Sequence, residues 1–354
     1  MPAVHETAAK SEDVVSTHRV HAGYVGIPSF FQCPVVTADA IRSGMAVVTG
    51  VPIDQGIVFG KPGTRFGPRA IRESSTVSRA FFAASPENTQ VDVDTQVALR
   101  VKDDPSLVDI GDVDIDPTDI MKTTESVIRG VAEIARRDAM AIVLGGDHYI
   151  AYPSFEGFVR GLTERQSAPR VGYLHIDTHS DFRDEYVGGG RYNHGTAARR
   201  VSENSALSYK NMAWLGLSGP VLDAGAYRLY RQHRLKMLTA RMIRERGVRE
   251  VVGEAMEAVA ADTDAVYVSI DIDVVNGSEA PGTGASVFTG ILAREFLEMM
   301  EVLAGYDVIK AVDLCEVSPP LDTPGVKTAD LAVSGLLTLL ERRIFDRVKL
   351  DLEG

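Results

Sequence analysis

The chain has 354 residues, 45% of them hydrophobic, and a formal charge of -12, so it can bury a large core, read here as one large domain. The acidic balance argues against a nucleic-acid surface and suits a cationic small molecule. Two cysteines, Cys33 and Cys315, a polar N-terminus and no run near the ~18 apolar residues of a membrane span predict a cytoplasmic protein with no membrane partner.

Residues 1–44 are polar at first, then loop-like around Gly23, Gly26, Pro28 and Pro34. They are expected to form an N-terminal arm whose aromatic Tyr24, Phe30 and Phe31 dock on a neighbour. The main domain is expected over 45–354. Residues 46–51 read as the first buried strand, the Gly/Pro-rich 60–68 as a loop, and a helix should start near Pro68. Residues 107–111 form a second predicted strand, followed by a helix capped by Asp116 or Thr118 and carrying Ile120, Val127, Val131 and Ile134. Strands near 141–145, 171–176, 212–216, 265–270 and 308–314 then alternate with helices near 195–203, 240–258, 291–303 and 328–346. This alternation predicts an α/β fold, with a mainly parallel sheet covered on both faces.

Three of these strands end in metal-ligand types. Tyr173-Leu174-His175-Ile176-Asp177-Thr178-His179-Ser180-Asp181 spaces Asp177, His179 and Asp181 two residues apart, on one face if the strand continues. Val266 to Asp273 closes on Asp271 and Asp273, and Gly145-Gly146-Asp147-His148 delivers His148. A lone Asp after a strand is ordinarily a cap or turn residue. Four converging carboxylates, however, would repel one another unless cations sat between them. Mixed His and carboxylate donors suit divalent first-row metals, and six ligands suit two ions better than one.

These three segments resemble the signatures of the ureohydrolase family, which includes arginases and agmatinases. Gly50-Val51-Pro52, residues 63–72, His194-Gly195-Thr196 and Glu316-Val317-Ser318-Pro319-Pro320 resemble agmatinase-type segments in the same order. The resemblance covers about 46–345 and makes 45–354 a ureohydrolase catalytic domain. It implies an arginase-like single three-layer α/β/α domain with a central parallel sheet of about eight strands. It also implies two Mn²⁺ or Ni²⁺ ions, with His148 and Asp181 at one, His179 and Asp273 at the other, and Asp177 and Asp271 bridging. Thr178 departs from the family's usual Ala, either neutrally or by adjusting the metal surroundings.

By the same resemblance, His194 shuttles a proton and Glu316 pairs with the guanidinium of the substrate, as planar charge and carboxylate allow. His175 and Trp214 read as core, Cys315 as a buried filler, and Asp147 as orienting His148 or tying down the turn. The implied reaction is attack of a metal-activated water on a guanidinium carbon, after which His194 protonates the departing amine while Asp181 hydrogen-bonds the metal-bound oxygen, giving urea and an amine.

The segment 182–193 selects the substrate. It lacks the arginase pattern for an α-amino acid head, so arginine is disfavoured. Asp184 and Glu185 can receive the far amine of agmatine, the favoured substrate. Arg183 or Arg191 suits a guanidino acid instead, and Phe182, Tyr186 and Tyr192 suit a free or alkylated guanidine or a biguanide such as metformin. Two other classes stand as alternatives: a phosphoesterase, for which no phosphate-cradling motif stands out, and a non-catalytic partner subunit, which would be expected to lose ligands. A homo-oligomer, trimer or hexamer, or a hetero-oligomer with a paralogue, is expected by resemblance.

Overall fold

A computed structural model describes residues 14–16, 25–102 and 106–349. Ten strands form the central sheet, in the order Val14–Ser16, Val35–Val36, Leu107–Asp112, Ala46–Val51, Met140–Gly145, Ile309–Cys315, Ala265–Asp271, Val171–Ile176, Met212–Leu217 and Lys236–Thr239. All pair parallel except the outermost, Val14–Ser16, which runs antiparallel to Val35–Val36. The sheet thus exceeds the expected eight strands, and the excess consists of short strands toward its two edges.

Period-two alternation in these strands feeds two cores. Val48, Ile142 and Leu144 pack with helices Gly67–Ala83, Val248–Ala260, Ala293–Leu303 and Lys327–Leu339 on one side. Val47, Ala141 and Val143 pack with Ile120–Arg136 and Ala151–Thr163 on the other. Every residue of strands Ala46–Val51, Met140–Gly145, Val171–Ile176 and Ala265–Asp271 is buried, as a sheet covered on both faces requires. The result is the three-layer α/β/α fold expected.

Several local expectations are corrected. Helix Gly67–Ala83 does carry Pro in its first turn, but helix Ile120–Arg136 is capped by Asp119, whose side chain accepts from the N–H groups of Met121 and Lys122. Asp116 instead binds the N–H and hydroxyl of Thr118. The stretch 240–258 is two helices broken at Gly247, and 328–346 ends in a strand, Phe345–Val348, of a separate three-stranded antiparallel sheet. Helices Ala151–Thr163 and Ala224–His233 were not foreseen.

The proposed arm is also corrected where it is described. Phe30 and Phe31 are buried in this domain's own core: the Phe30 N–H donates to Asp109 at 3.1 Å and the Phe31 N–H to Ser75 at 2.7 Å. These rings are therefore not free to cover a neighbour. Tyr24 lies outside the described residues.

Candidate active site

Sheet order brings the chemistry together. Strands Met140–Gly145, Ile309–Cys315, Ala265–Asp271 and Val171–Ile176 are consecutive neighbours in the middle of the sheet. Their carboxyl ends therefore release His148, Glu316, Asp271 with Asp273, and Asp177 to Asp181 at one rim, where open α/β sheets place their sites.

The ligand comb is not a strand face. The strand stops at Ile176, the Asp177 carboxylate folds back to accept the His179 N–H at 2.6 Å, and Asp181 adopts φ 44°. A loop gathers these side chains instead. His148 Nδ1 stands 3.1 Å from Asp177 Oδ2, 3.2 Å from Asp181 Oδ2 and 3.3 Å from Asp271 Oδ2. His179 Nδ1 stands 3.1 Å from Asp273 Oδ2 and 3.5 Å from Asp177 Oδ1. All six predicted ligand residues thus come together, and Asp177 presents one oxygen to each half.

Their electrostatics are those of a place built for cations. Burial opposes charge on His148, but neighbouring anionic groups, Asp177, Asp181 and Asp271 among them, outweigh it and raise its pKa. Burial, then repulsion by Asp273 and Asp177, pushes the Asp271 carboxyl well up. Burial chiefly, and Asp177 with it, pushes Asp273 up to about 7 against the pull of His179. The Asp273 Oδ1 atom is buried without a hydrogen-bond partner. An orphaned buried carboxylate oxygen is costly unless a cation or water meets it. The donor set of imidazole and carboxylate fits divalent first-row ions, and the groups His148, His175, Asp177, Asp181 and Asp177, His179, Asp273 are each close enough to hold one.

A buried polar layer lies behind these residues, and sequence reading missed most of it. His148 Nε2 meets Ser269 Oγ at 2.9 Å, Ser269 donates to Asp313 at 2.8 Å, and Tyr267 donates to the same carboxylate at 2.7 Å. Tyr173 OH meets His175 Nδ1 at 2.9 Å, and His175 Nε2 meets Asp177 Oδ2 at 3.0 Å. Strand register sets His175, Ser269 and Asp313 side by side. The signal was available: Ser269 and Tyr267 share the face of Asp271 by period two. His175 is core, as expected, but bound to a ligand residue. Cys315 is buried with its thiol toward Asp313, and Trp214 is buried with its N–H on Ser180 O. Asp147 binds the N–H groups of Gly56 and Tyr149, tying down the turn before His148. Thr178 is fully buried and its hydroxyl finds no partner.

Beside the cluster, Glu316 holds a left-handed backbone, φ 65°, with its N–H on Gly146 O at 2.9 Å. Its Oε1 accepts the His148 N–H at 2.8 Å and stands 3.6 Å from His194 Nδ1. Asn193 caps the short turn His194–Thr196. Burial opposes charge on His194, and Glu316 outweighs it, raising its pKa; His194 Nε2 is buried and unpartnered.

The expected substrate residues of the 182–193 loop have different surroundings. Asp184 is held at both oxygens, by Arg200 at 2.7 Å and Arg191 at 3.1 Å, so its charge is already matched. Tyr192 packs on Tyr152, ring centroids 5.9 Å apart. Glu185 is exposed. Tyr186, Arg183 and the unforeseen Phe59 gather instead: the Arg183 guanidinium lies 5.0 Å over the Tyr186 ring, and Phe59 meets Tyr186 at 5.2 Å and His194 at 4.6 Å.

Residues 45–341 match the Arginase family. The chain belongs to the arginase family. It is similar to the guanidinopropionase of Pseudomonas aeruginosa, 29% identical over 90% of this chain and 92% of that one. It is also similar to the mitochondrial agmatinase of Gallus gallus, 27% identical over 89% and 85%. The solved proclavaminate amidino hydrolase of Streptomyces clavuligerus superposes with a TM-score of 0.74 at 29% identity, covering 91% of this chain and 99% of that one. An arginase-family enzyme of the agmatinase-like branch is a hydrolase of amidino carbon–nitrogen bonds. Among the described residues, no helix is long and apolar enough to cross a membrane.

Proposed function

We propose that this enzyme is a dinuclear-metal hydrolase that releases urea from a guanidino compound. The observation that carries the reading is the convergence of six ligand residues with Glu316 and His194 at one sheet rim. His148 and Asp181 would hold one ion and His179 and Asp273 the other, with Asp177 and Asp271 placed to serve both. Bound divalent ions supply a water activated for attack at neutral pH. Asp181 orients the attacking water. Glu316, fixed by the His148 N–H, accepts the guanidinium and presents its carbon to that rim. His194 is held charged by Glu316 and gives its proton to the departing amine.

A guanidino acid is the preferred substrate. Arg183 lies over the Tyr186 ring with a single anionic partner among the described residues, Asp223 at 3.4 Å, whereas Asp184 is bonded by arginines at both of its oxygens. Agmatine is the second reading, favoured by the exposed Glu185 and by the agmatinase relative. The metals are Mn²⁺ or Ni²⁺, and the enzyme works in the cytoplasm as a trimer or hexamer of identical or paralogous chains. Urea release from guanidino acids, agmatine, alkylguanidines, guanidine and biguanides by protein loaded with each metal tests the reading. A fully loaded protein that releases urea from none of them refutes it.

A further inference from the structure

The loop before helix Gly67–Ala83 sends a side chain into the site that the ligand motifs do not include. Phe59 is 45% exposed, yet its ring packs on Tyr186 and His194, and the turn three residues before it is anchored to the site. The Gly56 N–H donates to Asp147 Oδ2 at 2.8 Å, and Gly56 O accepts the His194 N–H at 3.0 Å. A Cβ at Gly56 would fall 2.5 Å from Asp147 Oδ1, so only glycine allows this approach. Gly195 likewise makes room for Tyr186, whose ring would lie 2.5 Å from a Cβ there. Two neighbouring glycines thus let Phe59, Tyr186 and His194 pack as one aromatic group, with ring centroids 4.6 and 5.2 Å apart.

We propose that Phe59 is a specificity and positioning residue of the hydrolase. Its inner face holds the His194 imidazole with Nδ1 toward Glu316 and the unpartnered Nε2 free for the leaving amine. Its exposed face, with Tyr186, is the wall against which the carbon chain of the guanidino acid lies. Arg183, over the Tyr186 ring, meets the carboxylate. This inference rests on the proposed guanidine hydrolysis. An apolar wall discriminates by methylenes buried, each worth a few-fold in binding. A ring over an imidazole also keeps water from it.

The test compares wild type, Phe59→Ala, Phe59→Leu and Phe59→Tyr as metal-loaded protein, with metal content as the check on folding. Urea release and calorimetric binding are measured with guanidinium chloride and 3-guanidinopropionate. Phe59→Ala is expected to raise KM and Kd for 3-guanidinopropionate about tenfold and to change those for guanidinium much less. Loss of the ring eases the burial that opposes charge on His194, so the alkaline limb of kcat moves to higher pH. Glu316, Asp181 and Asp147, which face His194 and hold its charge, stay in place. Phe59→Tyr restores both readouts, and Phe59→Leu restores the KM ratio more than the pH profile. Unchanged KM ratio and pH profile in metal-replete Phe59→Ala overturn the inference. Selective binding of 3-guanidinopropionate that depends on Phe59, with no urea from wild type, upholds the wall and refutes the hydrolytic reading. Wild type that neither binds nor turns over either compound refutes both.

Discussion

The rings of His148 and His175 stack with centroids 4.7 Å apart and planes 5° from parallel, and both direct a nitrogen at the same oxygen of Asp177, at 3.1 and 3.0 Å. His175 therefore fixes where Asp177 Oδ2 points. His175→Phe keeps the ring volume and removes that bond. We expect metal affinity to fall by ~10 to 100-fold, the usual consequence of losing a partner that orients a ligand, while the protein still folds. Metal-buffered titration measures this; unchanged affinity would make His175 a packing residue only.

Asp177 faces both halves of the cluster, and Asp271 stands at His148 as well as before Asp273. Asp177→Ala or Asp271→Ala should remove both ions rather than one, as read by elemental analysis of purified protein. Full metal content in either variant would sink the bridging assignment.

Metal uptake should release protons. Burial raises Asp273 to about 7 and holds Asp271 well above its usual range, so the metal-free cluster carries protons that cations displace. Apparent affinity should rise as pH increases through about 7, and calorimetry in buffers of different ionisation heat counts the protons. The same shift has a definite sign for stability. Because the folded pKa of Asp273 lies above its ordinary 3.8, its contribution is fully present below about pH 4 and is lost as pH rises through about 7. Metal-free protein should therefore lose melting temperature over that window more than metal-loaded protein does. Equal pH dependence of the two forms would contradict this.

Glu316 and His194 should fail differently. Glu316→Gln leaves the shape but removes the anion that meets the guanidinium, weakening ground and transition states together by about 2 to 5 kcal/mol. It also removes the charge that raises the His194 pKa, so any remaining alkaline limb should move to lower pH. His194→Asn should leave binding intact and lower kcat by ~10² to 10⁴. Steady-state kinetics over pH distinguishes them, and wild-type turnover in His194→Asn would end its proton-transfer role.

What the sequence made legible were local groupings whose partners lie at strand ends. Asp177 to Asp181, Asp271 with Asp273, and His148 each follow an apolar run, and the sheet then places those runs side by side. Features that depend on distant partners were illegible. The burial of Phe30 depends on Asp109, and the neutralisation of Asp184 on Arg200. Helix Ala151–Thr163 hides behind Pro153, Gly157 and Gly161, residues that read as breakers. Its two glycines let it approach helix Ile120–Arg136, where a Cβ at Gly161 would fall 2.5 Å from Ala132 O. Strand Lys236–Thr239 is four residues long, too short to carry a periodic signal. Phe59 sits in a loop, where residue type alone says nothing about what a ring faces.

The most direct test of the two-metal guanidine hydrolase is product analysis with 3-guanidinopropionate, 4-guanidinobutyrate, agmatine and guanidine, comparing metal-loaded, chelated and Glu316→Gln protein. The account predicts urea and the matching amine, or ammonia from guanidine, in equal amounts from at least one of them. Release should be abolished by chelation, restored by Mn²⁺ or Ni²⁺, and strongly reduced in Glu316→Gln. Protein carrying two ions that releases no urea from any guanidine, or urea release indifferent to chelation, would contradict it.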